Sequence, residues 1–461
     1  MKERIKRIHF IGIGGSGMCG IAEIVHNMGF QVSGSDKVLS GRIRYLRKLG
    51  ISVSIGHRAR NAEEKHVVVY SAAVQKTNVE LRRAVELNIP ILRRAEMLGE
   101  LLRMKYSIGI SGTHGKTTTT SMTGAVLTCA KLDPTIIVGG IVRQLGTGAV
   151  HGKGHYLIAE ADEFDRSFLQ MNPTIGVITT LEADHLDCYG NVEEIKEAFV
   201  TFANNVPFYG MVIVCLDDPS IQSIINRFNK SVVTYGFSSQ ADYRILNRKA
   251  HYLSSEFSVG YKGEKIGKIN LSLPGIHNVN NALAAVAVGR ELQIPFHKIK
   301  KALENFKGVR RRFELKACIK GITLIDDYAH HPTEIAASLE GAREATKGRI
   351  IAVFQPHLYS RTRDFCKEFG RSFLNCDLLI ITDIFAAREK PLPGITGEII
   401  ANAATESGHR NVHYIPKPSA ILSFLKGNLK AGDMLITIGA GDVWKTCGII
   451  ENFLKSGRAR L

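Results

Sequence analysis

Twice in this chain an apolar strand runs into a glycine-rich turn that opens a helix, and no other feature constrains the fold as strongly. The first is Ile8-His9-Phe10-Ile11-Gly12-Ile13-Gly14-Gly15-Ser16-Gly17, followed by a helical segment to about Met28. The second is Ser107-Ile108-Gly109-Ile110-Ser111-Gly112-Thr113-His114-Gly115-Lys116-Thr117-Thr118, with a helical run over Thr119–Leu127. Strand, tight turn and helix in that order build βαβ units, so the expected fold class is α/β with mainly parallel sheets.

The two turns differ in chemistry. In Gly112–Thr117 the glycines let backbone N–H groups turn toward phosphate oxygens, and the helix N-terminus adds its positive dipole end. Lys116 can neutralise β/γ charge and Thr117 can offer its hydroxyl to Mg²⁺. The usual spacing puts a glycine at Ile110, so this is a compressed triphosphate cradle; a glycine-rich turn with a surface lysine is the alternative. Gly12-x-Gly14-x-x-Gly17, a strand around Gln31–Ser33 and Asp36 form a Rossmann-type fingerprint. It fits a diphosphate linked to a ribose, whether NAD or a nucleotide-sugar, or a turn with no ligand. Ser71 directly follows the strand His66–Tyr70, where parallel sheets place ligands.

At 461 residues there is room for about three domains. The expected bounds are 1–106 for a Rossmann-like domain, 107–314 for a P-loop domain and 315–461 for a second Rossmann-like domain. A net charge of +17 favours anionic ligands. The basic residues are scattered in pairs such as Arg82-Arg83 and Arg93-Arg94, which favours a phosphorylated small substrate over nucleic acid. Eight dispersed cysteines without a Cys-x-x-Cys pair fit reduced thiols. Lys2–Arg7 precedes an apolar stretch with no cleavage site, and no run approaches the ~20 apolar residues of a membrane span, so a cytoplasmic protein is expected.

Polar residues at strand ends supply the other candidates. Glu160, Asp162, Glu163 and Asp165 follow a buried strand and are either Mg²⁺ ligands, with Glu160 best placed, or a solvated acidic turn. His185 reads as a metal ligand, a phosphate contact or a loop histidine. Asn278, Asn280 and Asn281 are helix caps or readers of a base edge. Arg310-Arg311-Arg312 is a phosphate clamp or a solvated run. The adjacent pair His330-His331 does not make a zinc site, because neighbours seldom converge on one ion.

Two phosphate sites and a third α/β domain argue for an enzyme that joins a nucleotide-linked substrate to something else at the expense of ATP. The chain resembles the Mur ligases over essentially its whole length. The resemblance is carried by His9–Met18, Gly112–Thr117, Glu160–Glu163, Asp184-His185-Leu186-Asp187, His277–Asn281, Asp326–Glu334 and Phe354–Thr362. It implies ATP-dependent joining of L-alanine to UDP-N-acetylmuramate through an acyl phosphate; the family's tripeptide-joining reaction is the nearer rival. The implied ATP residues are Gly112, Thr113, His114, Gly115, Lys116, Thr117 and Thr118, with Asn281 and Asn278 at adenine, Arg312 at phosphate and Asp327 at ribose. Thr117, Glu160 and His185 would hold Mg²⁺. Gly14, Gly15, Ser16, Gly17, Asp36 and Ser71 would face the UDP-sugar. Tyr328, His330, His357, Tyr359 and Arg361 would line the amino-acid side, with Lys116, His330 and Arg361 catalytic and His330 the proton acceptor. Leu358 stands where some relatives have arginine, and Val200 near the position where others carry a carbamylated lysine. The implied partners are small substrates only, with the protein a monomer or homodimer.

Overall fold

Strand β1 (Arg7–Ile11) is buried from Ile8 to Ile11, as a strand covered on both faces must be. It lies at the centre of a parallel sheet with β2 (Gln31–Asp36), β3 (Ser52–Ile55), β4 (Val67–Tyr70) and β5 (Ile91–Arg93), in the order β3-β2-β1-β4-β5. The computed structural model describes residues 5–144, 146–184, 188–387 and 389–456. Strand order reverses between β1 and β4, so the ends of these two strands flank the crevice where such sheets bind ligands. The first glycine turn and Ser71 stand at those ends. Strand β5 and the helix Arg94–Arg103 that follows it are additions to the elements expected from the sequence.

The second sheet has ten strands. They are β6 (Tyr106–Ser111), β7 (Thr135–Ile137), β8 (Ala149–Val150), β9 (Tyr156–Glu160), β10 (Ile175–Ile178), β11 (Met211–Cys215), β12 (Ser231–Gly236), β13 (Tyr243–His251), β14 (Ser254–Tyr261) and β15 (Glu264–Leu271). Their order is β15-β14-β13-β12-β11-β10-β6-β9-β7-β8, and β6 pairs in parallel with β9 and β10. Strands β13, β14 and β15 form a meander whose two-residue turns, Tyr252-Leu253 and Lys262-Gly263, contain positive φ as twisted hairpins require. The helix read as starting at Thr119 starts at Lys116 and ends at Cys129.

The third sheet holds β16 (Glu314–Ile319), β17 (Ile322–Asp327), β18 (Ile350–Phe354), β19 (Leu378–Ile381), β20 (Val412–Tyr414) and β21 (Met434–Ile438), in the order β16-β17-β21-β18-β19-β20. All pairings are parallel except β16 with β17. Trp444, the chain's one tryptophan, opens the last helix, Trp444–Lys455, and is half exposed.

The chain packs as two compact units. One comprises the residues up to Leu246 with Ser258–Gly267 and Asn280–Phe306; the other comprises Asn247–Phe257, Lys268–Val279 and the chain from Lys307. Within the second unit the end of β13 and the turn that follows it are fastened to the third sheet and its helices. Arg248 forms a two-pronged ion pair with Glu344, the Tyr252 hydroxyl lies 2.9 Å from Thr323 Oγ1, and Leu253 packs on the core around Ile325, Leu339 and Phe354. No helix among the described residues is long and apolar enough to cross a membrane, and no disulfide joins any of the cysteines.

Candidate active site

Buried β6 delivers the chain to Gly112 at φ 130° and Gly115 at φ 84°, backbone that favours glycine, before the helix begins at Lys116. A side chain at Gly112 would press its Cβ to 2.2 Å from Thr179 Oγ1, and one at Gly115 to 2.4 Å from Asn281 Oδ1. Thr113 N–H donates to the Thr180 carbonyl and His114 N–H to Thr180 Oγ1, both at 2.9 Å. The loop is thereby held open as a cradle. Thr118 is buried in the helix's first turn.

Lys116 Nζ curls back into this cradle. It donates to the carbonyls of Gly112 (2.7 Å) and Thr113 (3.2 Å) and to both Glu163 oxygens (3.0 and 2.8 Å). Burial alone would depress its pKa, but Glu163, Asp162 and Glu160 outweigh burial and raise it. Burial pushes Glu163 up to about 7 although Lys116 opposes the shift. The lysine's partner among the three carboxylates is thus Glu163, a contact the sequence did not single out. Adjacent carboxylates after a strand read alike until the turn directs each side chain.

Glu160, the last residue of β9, is raised chiefly by burial, against hydrogen bonds from the Thr117 hydroxyl and the Gly139 N–H. Its Oε1 is buried without a hydrogen-bond partner. A buried carboxylate oxygen with an open lone pair beside a threonine hydroxyl is an oxygen donor set suited to Mg²⁺, so the residues present fit the ion. His185 lies outside the described residues.

Asn281 lies in the helix Ile276–Glu291, its Oδ1 accepting the Thr119 hydroxyl at 3.1 Å. It therefore borders the phosphate cradle. Asn278 differs: its amide donates to the Pro274 carbonyl at 2.7 Å within the second unit. The helix starts two residues before Asn278, so the cap reading of these asparagines is corrected: all three stand inside the helix.

In the first sheet Gly14 N–H donates to Asp36 Oδ2 at 2.8 Å, fixing the glycine turn to the end of β2. Gly15 precedes the helix Ser16–Asn27, and a Cβ on Gly17 would lie 3.1 Å from Arg94 Nη1. Ser71 N–H continues the ladder to the Ile11 carbonyl at 3.2 Å. Beneath this edge lies Glu80, fully buried. Burial would raise its pKa, but the His9 ring 3.5 Å away and hydrogen bonds from the Ser35 hydroxyl and the Asn61 amide hold it at about 2. This cluster gave no sequence signal, since its members are scattered from residue 9 to 80.

In the second unit Asp327, at the end of β17, is buried and accepts the Ser338 hydroxyl at 2.6 Å and Ala329 N–H at 3.0 Å. Burial pushes it up to about 6. The arginine run divides its labour. Arg311 bonds Asp326 at 3.1 Å and the Gly439 and Gly441 carbonyls, so it is a structural tie; Arg312 reaches Glu334 at 3.3 Å. Both guanidinium groups lie about 5 Å from the Tyr328 ring. His330 contacts Glu334 Oε2 at 3.2 Å, and its ring meets those of Tyr328 and His357 edge-on at 5.3 and 5.9 Å. His357 stacks in turn on Phe385. Tyr359 and buried Arg361 sit in the short helix Tyr359–Asp364, entered through Leu358 at φ 71°.

Three family models match in succession: the Mur ligase family catalytic domain over residues 7–106, the Mur ligase middle domain over 110–289 and the Mur ligase glutamate ligase domain over 311–441. The chain is 48% identical over 455 residues to the UDP-N-acetylmuramate--L-alanine ligase of Salinibacter ruber, covering 98% of this chain and 96% of that one. It is 49% identical over 447 residues to the enzyme of the same name from Trichlorobacter lovleyi, covering 96% and 98%. Its fold is similar to the crystal structure of UDP-N-acetylmuramate-alanine ligase from Thermotoga maritima, with a TM-score of 0.80, 29% identity and coverage of 98% and 99%.

Proposed function

The chain belongs to the Mur ligase family, and from that premise we propose that it joins L-alanine to UDP-N-acetylmuramate with ATP, in the synthesis of peptidoglycan precursors. The observation that carries this reading to chemistry is the set Lys116, Glu163, Glu160 and Thr117 gathered at one helix N-terminus. The lactyl carboxylate attacks the γ-phosphate, giving an acyl phosphate and ADP; the amine of L-alanine then attacks the activated carbonyl and phosphate departs.

Each residue's part follows from its chemistry. Lys116 meets phosphate charge as it leaves Glu163, and the cradle Gly112–Thr118 presents N–H groups to the same oxygens. Mg²⁺ held by Thr117 and Glu160, with a second ion at His185, would offset repulsion between the phosphates and the incoming carboxylate. Asn281 borders the adenine position, with Asn278 a weaker candidate because its amide is engaged; Arg312 and Asp327 meet phosphate and ribose. Gly14, Gly15, Ser16, Gly17, Asp36 and Ser71 take the UDP-sugar. Tyr328, His357, Tyr359 and Arg361 orient the amino acid, and His330, poised against Glu334, accepts the ammonium proton. We assign 1–106 to the UDP-sugar, 107–314 to ATP and 315–461 to the amino acid. A cytoplasmic monomer or homodimer acting on small molecules, without nucleic acid or membrane partners, completes the reading.

Phosphate release with ATP, Mg²⁺ and UDP-N-acetylmuramate is the direct test, comparing L-alanine, glycine, L-serine and the L-alanine-containing tripeptide. Release should require the nucleotide-sugar and be fastest with L-alanine. Activity with the tripeptide alone would overturn the assignment.

A further inference from the structure

The glycine turn Gly12–Gly17 contains no cation, whereas the phosphate cradle has Lys116. Backbone N–H groups alone would face a diphosphate that carries at least two negative charges. Beside this turn lies a cleft of about 410 Å³, lined among others by Tyr70, Ala72, Lys76, Arg93, Arg94 and Arg166. Two of its cations are engaged: Arg93 Nε donates to the Tyr70 hydroxyl at 3.3 Å, and Arg166 pairs with Glu194 and lies 5.0 Å from the Tyr189 ring centre. Lys76 stands exposed on the rim.

Arg94 is different. It is half-buried, and no hydrogen bond or ion pair among the described residues engages its guanidinium. Its Nη1 and Cδ would lie 3.1 and 3.3 Å from a Cβ on Gly17, so the side chain covers the bare backbone of the turn's last glycine. A guanidinium is a planar fork matched to phosphate oxygens, and an unpaired one in a partly desolvated cleft gains most from an anion.

We infer that Arg94 is the counter-charge for the diphosphate of the nucleotide-sugar, bound at this cleft outside the ends of β1 and β4. The inference rests on the reading that the first sheet takes UDP-N-acetylmuramate. Arg94 supplies at this turn the cation that Lys116 supplies at the other, and Gly17 is glycine because a side chain there would displace the guanidinium.

The test is equilibrium binding of UDP and of ATP to the full-length protein and to Arg94→Met, which keeps the stem over Gly17 and removes the charge. UDP should bind the variant about ten- to a hundredfold more weakly, the loss of one charge-assisted contact. ATP should bind both alike, showing that the variant is folded. The salt dependence of UDP affinity should be shallower in the variant, and Arg82→Ala should match the parent throughout. A parent that binds no UDP refutes the underlying reading of the first sheet. A parent that binds UDP while Arg94→Met binds it as tightly, or more weakly but with unchanged salt dependence, overturns the assignment of Arg94 alone.

Discussion

Lys116 is neutralised within its own chain before any nucleotide arrives, by Glu163 and two loop carbonyls. Replacing it with alanine should lower turnover at least about a hundredfold, on the scale of losing one preorganised transition-state contact. The same variant leaves Glu163 buried without its cation. A carboxyl raised in the folded state binds its proton more tightly there than when unfolded, so stability falls as pH rises through the folded value. Lys116→Ala should therefore unfold near the parent temperature at pH 6 and well below it at pH 8, measured by thermal melts. Asp327, pushed by burial up to about 6, follows the same sign. Between its ordinary value and about 6 it costs the parent stability as pH rises, and Asp327→Asn should flatten that part of the stability curve. A parent and variant with parallel curves would place the titration elsewhere. The sequence marks the Glu160–Glu163 segment because acidic residues after a buried strand beside a cradle are rare without cause. It puts Glu160 first for the ion but does not single out Glu163 as the partner of Lys116, since a one-residue step in the turn redirects a side chain.

At the scale of elements, the turns matter more than the strands they join. Gly115 combines φ 84° with a Cβ position 2.4 Å from Asn281 Oδ1, so Gly115→Ala must move either the loop or the helix that carries Asn281. We expect weaker ATP binding by about 1–3 kcal/mol, read by calorimetry, with the first sheet's UDP affinity unchanged. Arg311 ties β17 to the loop after β21 through Asp326, Gly439 and Gly441. Because that guanidinium is part-exposed, Arg311→Ala should cost about 2 kcal/mol in urea unfolding, below the range for a fully buried pair. The parallel strands were legible because a strand covered on both faces is a nearly unbroken apolar run. Strand β13, Tyr-Arg-Ile-Leu-Asn-Arg-Lys-Ala-His, was not, because half its residues are charged or polar and its pairing is settled by the meander around it. The helix Arg94–Arg103 was missed for a related reason: Arg94, which opens it, reads with Arg93 of β5 as a surface pair until the turn beside it is in place.

At the scale of the whole molecule, the α/β class with mainly parallel sheets was readable from the two strand–turn–helix units. The boundaries of the packed units were not. The second unit includes Arg248, Tyr252 and Leu253 from the β13–β14 hairpin, far from the third sheet in sequence but bonded to Glu344 of the helix Pro332–Ala345 and to Thr323 of β17. A fragment spanning 315–461 would leave Glu344 without its arginine and uncover the core beneath Leu253. Such a fragment should be markedly less soluble or less stable than the same residues in the intact chain, as limited proteolysis and urea unfolding would record. Equal stability would mean the turn adds nothing to that unit. Trp444 offers a last consequence. As the chain's single indole, half exposed at the start of the last helix, it confines intrinsic tryptophan fluorescence to the second unit. Selective excitation of this one residue would follow events there in real time, with no label attached and no second emitter to subtract.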